Sequence, residues 1–499
     1  MKFVAKHKVE IALLLVLIAF YFLLRLPNLT LQPIFADEAI YIRWAQVMRA
    51  ESTLRFLPLS DGKTPLFMWA MIPLFKIFQD PLFAGRFLSI ISGFFTLMGV
   101  FFLSKKVFNL KVALWASLFY AIAPYTVFFD RMALVDSMVS AFTIWIIYFA
   151  LWLVQKVRLD LGLILGFILG GAWLAKTPAV LNLLLLPISI LTFKRVKEDK
   201  HNLLKLFLFW GVSILIALVM YNLLRLGPNF HLLSSRNADY VFSPIELSGR
   251  PLDPFIPHFH DMSDWFPKLF TWPILVLVGV GIFYAITKLN RLGLVVLLWA
   301  VVPLLFSMAF LKTYTARYLL PSIAPFLVFA GFGLTKILGQ VKIKNSLKIL
   351  VALIVVLPFS LRFDYQLIKN PPPDDLPKEE RKGYFEEWTA GYGLKKIAEY
   401  LEDQKKNDSV VVGTEGFFGT LPDGLQIYLD KSQIPIIGSH AIISAQIKAA
   451  AKDHSTYFVG NKKNIVGSID NVRLILEFPK AAPKDNSKQD AMMLYQVLP

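Results

Sequence analysis

Residues 82–108 read LFAGRFLSIISGFFTLMGVFFLSKKVF, with no charged residue between Arg86 and Lys105. An α-helix needs about 20 apolar residues to cross the hydrocarbon of a bilayer, and this run ends on two lysines. The pattern recurs on both sides of it. Apolar runs that read as membrane spans lie at 9–26, 82–103, 111–129, 133–154, 161–176, 178–193, 204–226, 269–287, 292–311, 318–336 and 346–362. Across all 499 residues the composition is 56% hydrophobic and 17% charged, against about 25% charged in a soluble globular domain. The expected fold is an all-α polytopic membrane protein of eleven spans. An ordinary cytosolic enzyme, a fibrous chain and a disordered chain are excluded.

The charges set the orientation. A formal net charge of +17 would suit a nucleic-acid binder, but the cations form no patch interleaved with aromatic residues. They sit in short loops instead: Lys105, Lys106 and Lys111; Lys156 and Arg158; Lys194, Arg195, Lys197 and Lys200; Lys288 and Arg291; Lys336, Lys342, Lys344 and Lys348. Lysine and arginine gather in cytoplasmic loops, so the N-terminus is expected in the cytoplasm of a plasma-membrane protein. The long loops 27–81 and 227–268, rich in acids, are then expected outside, together with the C-terminus. MKFVAKHK followed by Val9 to Leu26 has the form of a signal peptide but lacks a small-residue cleavage motif, and reads as an uncleaved first helix. The absence of cysteine excludes disulfides, thiolate metal sites and cysteine nucleophiles.

Two segments of the first outer loop read as juxtamembrane helices. Ile40, Trp44, Val47 and Met48 recur at helical spacing opposite Asp37, Tyr41 and Arg49, which is the pattern of an amphipathic helix on a membrane surface. Pro65 to Phe78 is apolar but short, with Pro73 inside it. Residues 1–362 form the expected membrane domain. The proline-rich, charged stretch PPPDDLPKEERKG marks 363–389 as a linker. Residues 390–499 read as a small extracytoplasmic α/β domain, with helices over Tyr392–Leu401 and Ile442–Ala451. Its strands are expected at Ser409–Val412, Ile434–Ile437, Thr456–Val459, Arg473–Phe478 and Met492–Val497. No phosphate-binding loop, HExxH or GxGxxG pattern occurs.

Ionisable side chains at a membrane are expensive and call for a reason. Asp37, Glu38, Lys63, Asp130, Arg131, Asp136, Lys176 and Arg317 all fall at the outer ends of spans under this topology. Each has a structural explanation of its own: Asp37 and Glu38 as helix caps, Asp130 with Arg131 as an ion pair, Lys176 as a snorkelling lysine. Their gathering on one face suits a reaction in which a hydroxyl loses a proton while an anion departs. His258, His260 and Asp261, in PHFHD, offer weak candidate ligands for a divalent cation.

These segments resemble a known family. FADEAIYIRWAQVM (35–48) is similar to the acidic-pair motif of the GT-C membrane glycosyltransferases, which include the protein O-mannosyltransferases and the bacterial lipid A aminoarabinose transferase. GKTPLFMW (62–69) resembles their Lys-Pro-Pro-Leu segment, with Thr64 in place of a proline. The span opened by Arg86, FFDRMALVDSMVSAF (128–142), AWLAKTPAVLNLLLLP (172–187) and RYLLPSIAPFLVFAGFG (317–333) follow in the family's order, over residues 9–340.

The resemblance implies a glycosyltransferase moving a sugar from a polyprenyl-phosphate donor to an acceptor hydroxyl outside the cytoplasm, by a single inverting displacement. In that reading Asp37 is the general base, Glu38 orients the site or a metal, and Asp136 is a second essential acid. Lys63, Lys176, Arg131 and Arg317 hold the lipid phosphate. No cofactor is required beyond a possible divalent cation. The expected partners are the lipid-linked donor, membrane lipids and a protein, glycan or lipid acceptor, with no nucleic acid. A lipid-linked-sugar flippase, or a non-catalytic assembly protein on the same scaffold, are the competing classes. Sugar, acceptor and oligomeric state are not written in the sequence.

Overall fold

The apolar runs fold as helices. In the computed structural model the chain passes through α1 (Lys8–Arg25), β1 (Ile34–Phe35), α2 (Ala36–Ala50), α3 (Pro81–Val107), α4 (Leu110–Ile122), α5 (Pro124–Asp130), α6 (Asp136–Lys156), α7 (Leu159–Ala175) and α8 (Lys200–Asn222). There follow α9 (Phe255–Phe270), α10 (Trp272–Thr287), α11 (Arg291–Phe310), α12 (Leu320–Gln340) and α13 (Asn345–Lys369). The structure describes residues 8–193, 200–250, 252–440, 443–465, 471–485 and 487–499. The start of the signal-like segment and the basic residues Lys194, Arg195 and Lys197 lie outside the described residues.

Contacts divide the chain into two units. The first comprises Met1–Pro27, Arg55–Phe67 and Phe87–Ile368; the second comprises Asn28–Leu54, Met68–Arg86 and Lys369–Pro499. The unit that contains residues 390–499 thus also takes in two pieces of the chain between α1 and the body of α3. Nor is 363–389 a plain linker: α13 runs on to Lys369, and Tyr384 and Phe385 are buried.

In the first unit, six helices among the described residues are long and apolar enough to cross a bilayer, and eight if each of two bent pairs counts as one span. The bent pairs are α4 with α5, at 57°, and α9 with α10, at 107°. The latter corner falls at Thr271, whose φ is +69°. Eleven spans were expected, and the other three candidates fall short for local reasons. Helix α1 carries Lys8, Glu10 and Arg25, and α7 is 17 residues long. Residues 177–192 break into 3-10, α and 3-10 pieces around Pro178 and Pro187, because proline removes the N–H that an α-helix needs. Packing is close where α10 meets α12: a Cβ on Gly281 or Gly333 would strike the facing backbone carbonyl of Phe329 or Leu277. Small residues permit this approach where lipid supplies no hydrophobic drive between helices.

The second unit is built on a five-stranded sheet of order β4-β3-β5-β7-β6. Its strands are β3 (Val410–Glu415), β4 (Ile436–Ser439), β5 (Ser455–Asn461), β6 (Val472–Pro479) and β7 (Ala491–Val497), preceded by the short β2 (Ala390–Gly391). The strands β4, β3 and β5 are parallel, and β5, β7 and β6 antiparallel. Strand β3 opens with Val410, Val411 and Val412, all buried, the run expected of a parallel strand covered on both faces. The helices are α14 (Leu394–Lys405), α15 (Asp423–Leu429) and α16 (Ala445–Ala450). Helix α2 belongs here: β1 pairs with β2, Gln46 Nε2 donates to the Ile427 carbonyl at 2.9 Å, and Arg43 and Arg49 both bind Asp430, at 2.7 and 3.2 Å. Tyr41, on the polar side of the amphipathic reading, is buried.

Candidate active site

The acidic pair opens α2, where the unsatisfied N–H groups of the first turn favour carboxylates. Its two members have different fates. Glu38 is fully enclosed; its Oε2 accepts the Phe35 N–H at 2.9 Å. Arg86, also fully enclosed, grips both its oxygens, Nε on Oε1 at 2.9 Å and Nη2 on Oε2 at 2.8 Å. The same guanidinium donates to the carbonyls of Leu29 (2.7 Å), Gln32 (3.0 Å) and Pro33 (2.9 Å). A buried ion pair is tolerable when its remaining hydrogen-bonding capacity is filled, and here it fixes the chain leading into α2. Asp37, one residue earlier, remains partly exposed.

In the first unit, Asp136 opens α6 and Lys176 follows the last residue of α7. The Lys176 Nζ lies 2.6 Å from Asp136 Oδ1, with the two side chains 27% and 5% exposed. The same ammonium sits 4.0 Å from the centroid of the Tyr318 ring, and the Arg317 Cζ lies 5.3 Å from it. Three of the residues singled out in the sequence therefore meet around one tyrosine. A ring face attracts cations electrostatically; both cations lie against this ring, and the lysine is also paired with the carboxylate.

Lys63 lies after the left-handed Gly62 (φ +63°) and pairs with Asp61 at 3.3 Å, which also binds Arg236 at 3.2 Å. Arg131 is placed otherwise than a phosphate ligand would be. It is 1% exposed, and its Nη1 donates to the carbonyls of Arg25 (2.7 Å) and Pro27 (3.0 Å) just past the end of α1. Nor does Asp130 pair with Arg131. It takes Arg25 Nε at 3.1 Å and hydroxyls from Tyr21, Tyr120 and Ser137 at 3.3, 3.2 and 2.9 Å.

Residues 62–224 match the family model described as dolichyl-phosphate-mannose-protein mannosyltransferase. The structure of ArnT from Cupriavidus metallidurans bound to undecaprenyl phosphate is similar with a TM-score of 0.58 over 98% of each chain, at 14% identity. Its apo form gives 0.57 over the same shares, also at 14% identity. The oligosaccharyltransferase AglB from Archaeoglobus fulgidus, in complex with an inhibitory peptide and a dolichol-phosphate, gives 0.55 over 91% of this chain and 70% of its own, at 10% identity.

The chain has the GT-C fold.

No curated protein matches the chain by sequence. Its fold and its helices long and apolar enough to cross a bilayer make it a multi-pass membrane protein.

The described residues of 227–268 hold no gathered ligand set. His258 is buried with Nδ1 2.8 Å from the Met308 carbonyl, and its ring stacks on Tyr314 at 4.2 Å. Among the described residues no three His, Asp or Glu side chains converge as metal ligands. Several residues of the polar framework escaped the sequence reading. Arg25 lies inside an apolar run, where an ionisable side chain is itself a signal, and Asp364 lies just past the end of another. Both are buried, and Arg25 and Arg131 are charged neighbours of Asp364. Tyr318 carried no signal beyond its place beside Arg317.

Proposed function

We propose that the protein transfers a sugar from a polyprenyl-phosphate donor to an acceptor hydroxyl on the extracytoplasmic side of the membrane. The observation that carries this reading is the meeting of Asp136, Lys176 and Arg317 around Tyr318, in a chain of GT-C fold. The donor carries its own anionic leaving group in the bilayer, so no nucleotide site is needed. In the reaction Asp37 accepts the proton of the acceptor hydroxyl as its oxygen bonds to the anomeric carbon. The bond from that carbon to the phosphate oxygen breaks, and the electron pair leaves on the lipid phosphate. Lys176 and Arg317 stabilise that charge, and Lys63 assists. Charge stabilisation by fixed cations is commonly the largest single contribution to such a step. Asp136 holds Lys176 in place, Glu38 positions Asp37 through the chain it fixes, and Arg131 acts on the framework.

The reading includes eleven spans, with 161–176 and 178–193 crossing as short, partly 3-10 segments; a 3-10 turn rises about 2.0 Å per residue against 1.5 Å. The N-terminus then lies inside and the C-terminal unit outside. Whether a divalent cation takes part is read out by EDTA in the same assay.

The test uses purified protein in nanodiscs with labelled polyprenyl-phosphate sugars, following release of free polyprenyl phosphate. Release by the wild type and near-complete loss in Asp37→Asn is the expected result. Equal release by both would remove Asp37 as the base. No release from any donor, with lipid-linked sugar crossing the bilayer instead, would replace the enzyme with a flippase.

A further inference from the structure

The turn after β3 has no part in the reading above, yet it is the most elaborately held surface feature of the second unit. Gly416, Phe417, Phe418 and Gly419 form it, and both glycines are left-handed, at φ +81° and +107°. Phe417 and Phe418 are 61% and 47% exposed, and Trp388 is 50% exposed beside them. A Cβ added to Gly419 would lie 3.5 Å from the Trp388 ring, so the turn and the indole are in near contact. Exposed apolar residues scattered singly are ordinary; a contiguous cluster marks a binding surface.

The cluster is fixed from beneath. The Gly416 N–H donates to the Ser439 carbonyl at 2.7 Å, and the Gly419 N–H to Asp423 Oδ2 at 2.7 Å. The Phe418 ring lies 5.9 Å from that of Trp44, which lies 6.1 Å from that of Tyr41. Trp44 and Tyr41 are buried on α2. Asp37, Tyr41 and Trp44 stand at i, i+4 and i+7, on one face of that helix, so Trp44 does not oppose Asp37 and Tyr41 as the amphipathic reading of the sequence expects. Trp44 is therefore about 10 Å along the axis from Asp37, roughly two sugar rings away.

Sheet topology points to the same place. The chain leaves β3 for β4 on one side, then crosses to β5 on the other. In open α/β sheets ligands bind at the carboxyl ends of strands where the order reverses in this way, and the Phe417–Phe418 turn is the carboxyl end of β3.

We propose that Phe417, Phe418 and Trp388 are the platform on which the acceptor lies, and that this acceptor is a saccharide of at least two rings. This rests on the assignment of Asp37 as the base. The chemistry favours a sugar. A pyranose presents a flat face of C–H groups to an aromatic ring and keeps its hydroxyls in water, so exposed rings bind it without burying a polar group. A charged peptide would call for unspent charge, whereas Arg43 and Arg49 on α2 are committed to Asp430.

Full-length protein in nanodiscs is titrated with mannotriose, maltotriose and chitotriose, and binding is followed by saturation transfer to the sugar protons. At least one trisaccharide binds the wild type. Phe417→Ala/Phe418→Ala, and separately Trp388→Ala, each with an unchanged melting temperature, weaken it about tenfold. Leu474→Ala, at an exposed site on β6, leaves it as it was. Absence of saturation transfer to all three sugars, or equal binding by the folded aromatic variants, overturns the proposal. So does quenching of Trp388 fluorescence by brominated lipids, which would make the cluster a membrane anchor. Saccharide binding without any release of polyprenyl phosphate from the donors would sink the transferase reading and leave the platform standing.

Discussion

Two ion pairs of like composition do different work in the two units. Glu38 and Arg86 are both wholly enclosed, and the guanidinium bonds to Glu38 and to the carbonyls of Leu29, Gln32 and Pro33. Asp136 and Lys176 meet in a single contact, with the lysine side chain 27% exposed and a tyrosine ring beneath it. The first pair has no bond to spare for a ligand. The second has a partly exposed ammonium held by one carboxylate oxygen, so it can face an arriving anion while keeping its bond to the buried Asp136. The saturated pair is framework, and in the proposed reaction the unsaturated one is where a phosphate would be met.

That distinction breaks most easily at Arg86. Arg86→Met strands the Glu38 carboxylate in the interior, and removing one partner of a buried pair costs about 3–5 kcal/mol. The expected result is a large loss of stability in detergent, seen by thermal or denaturant unfolding. Adding Glu38→Leu should recover part of it, since no orphan charge then remains. Lys176→Met is the contrasting case. Release of polyprenyl phosphate should fall about 100-fold or more, in line with the loss of one group that stabilises developing charge. Its melting temperature should move far less than that of Arg86→Met. If Lys176→Met unfolds as readily as Arg86→Met while keeping its turnover, the two pairs are alike and both are framework.

How far the sequence speaks also differs between the units. Apolar runs announced the long helices of the first, because a membrane span is a local property. In the second, the strands at 409–412, 456–459, 473–478 and 492–497 stand close to β3, β5, β6 and β7, since alternation and β-branched runs are local too. Asp136, Lys176 and Arg317 stand out in the sequence as ionisable side chains beside apolar runs, but that the first two pair is a fact of the fold alone. Pairings over long stretches of chain were not foreshadowed. Arg43 meets Asp430 across 387 residues, and nothing in periodicity links a first-loop helix to a C-terminal sheet. Asp130 and Arg131 were read as a pair because they are adjacent, yet neighbours on a helix point about 100° apart. Asp130 instead found Arg25, which the sequence hides inside an apolar run.

The smallest expected effect concerns the framework of the second unit, at a buried carboxyl with a different set of partners. Asp423 has no arginine gripping both oxygens. Burial pushes its carboxyl above the usual carboxylate range, while the Gly419 N–H and the charge of Arg43 pull the other way and only partly offset this. A carboxyl whose pKa is raised on folding binds its proton more tightly in the folded state than in the unfolded one. Stability tied to Asp423 is therefore fully present below its ordinary value of 3.8, and is lost as pH rises through the raised folded value. In this window the melting temperature of the wild type, measured against Asp423→Asn at each pH, should fall as pH rises. Above the window the difference should be flat. The opposite slope would mean that the carboxylate is stabilised in its charged form, and the turn that carries Phe417 and Phe418 would then be anchored by a charge rather than by a neutral acid.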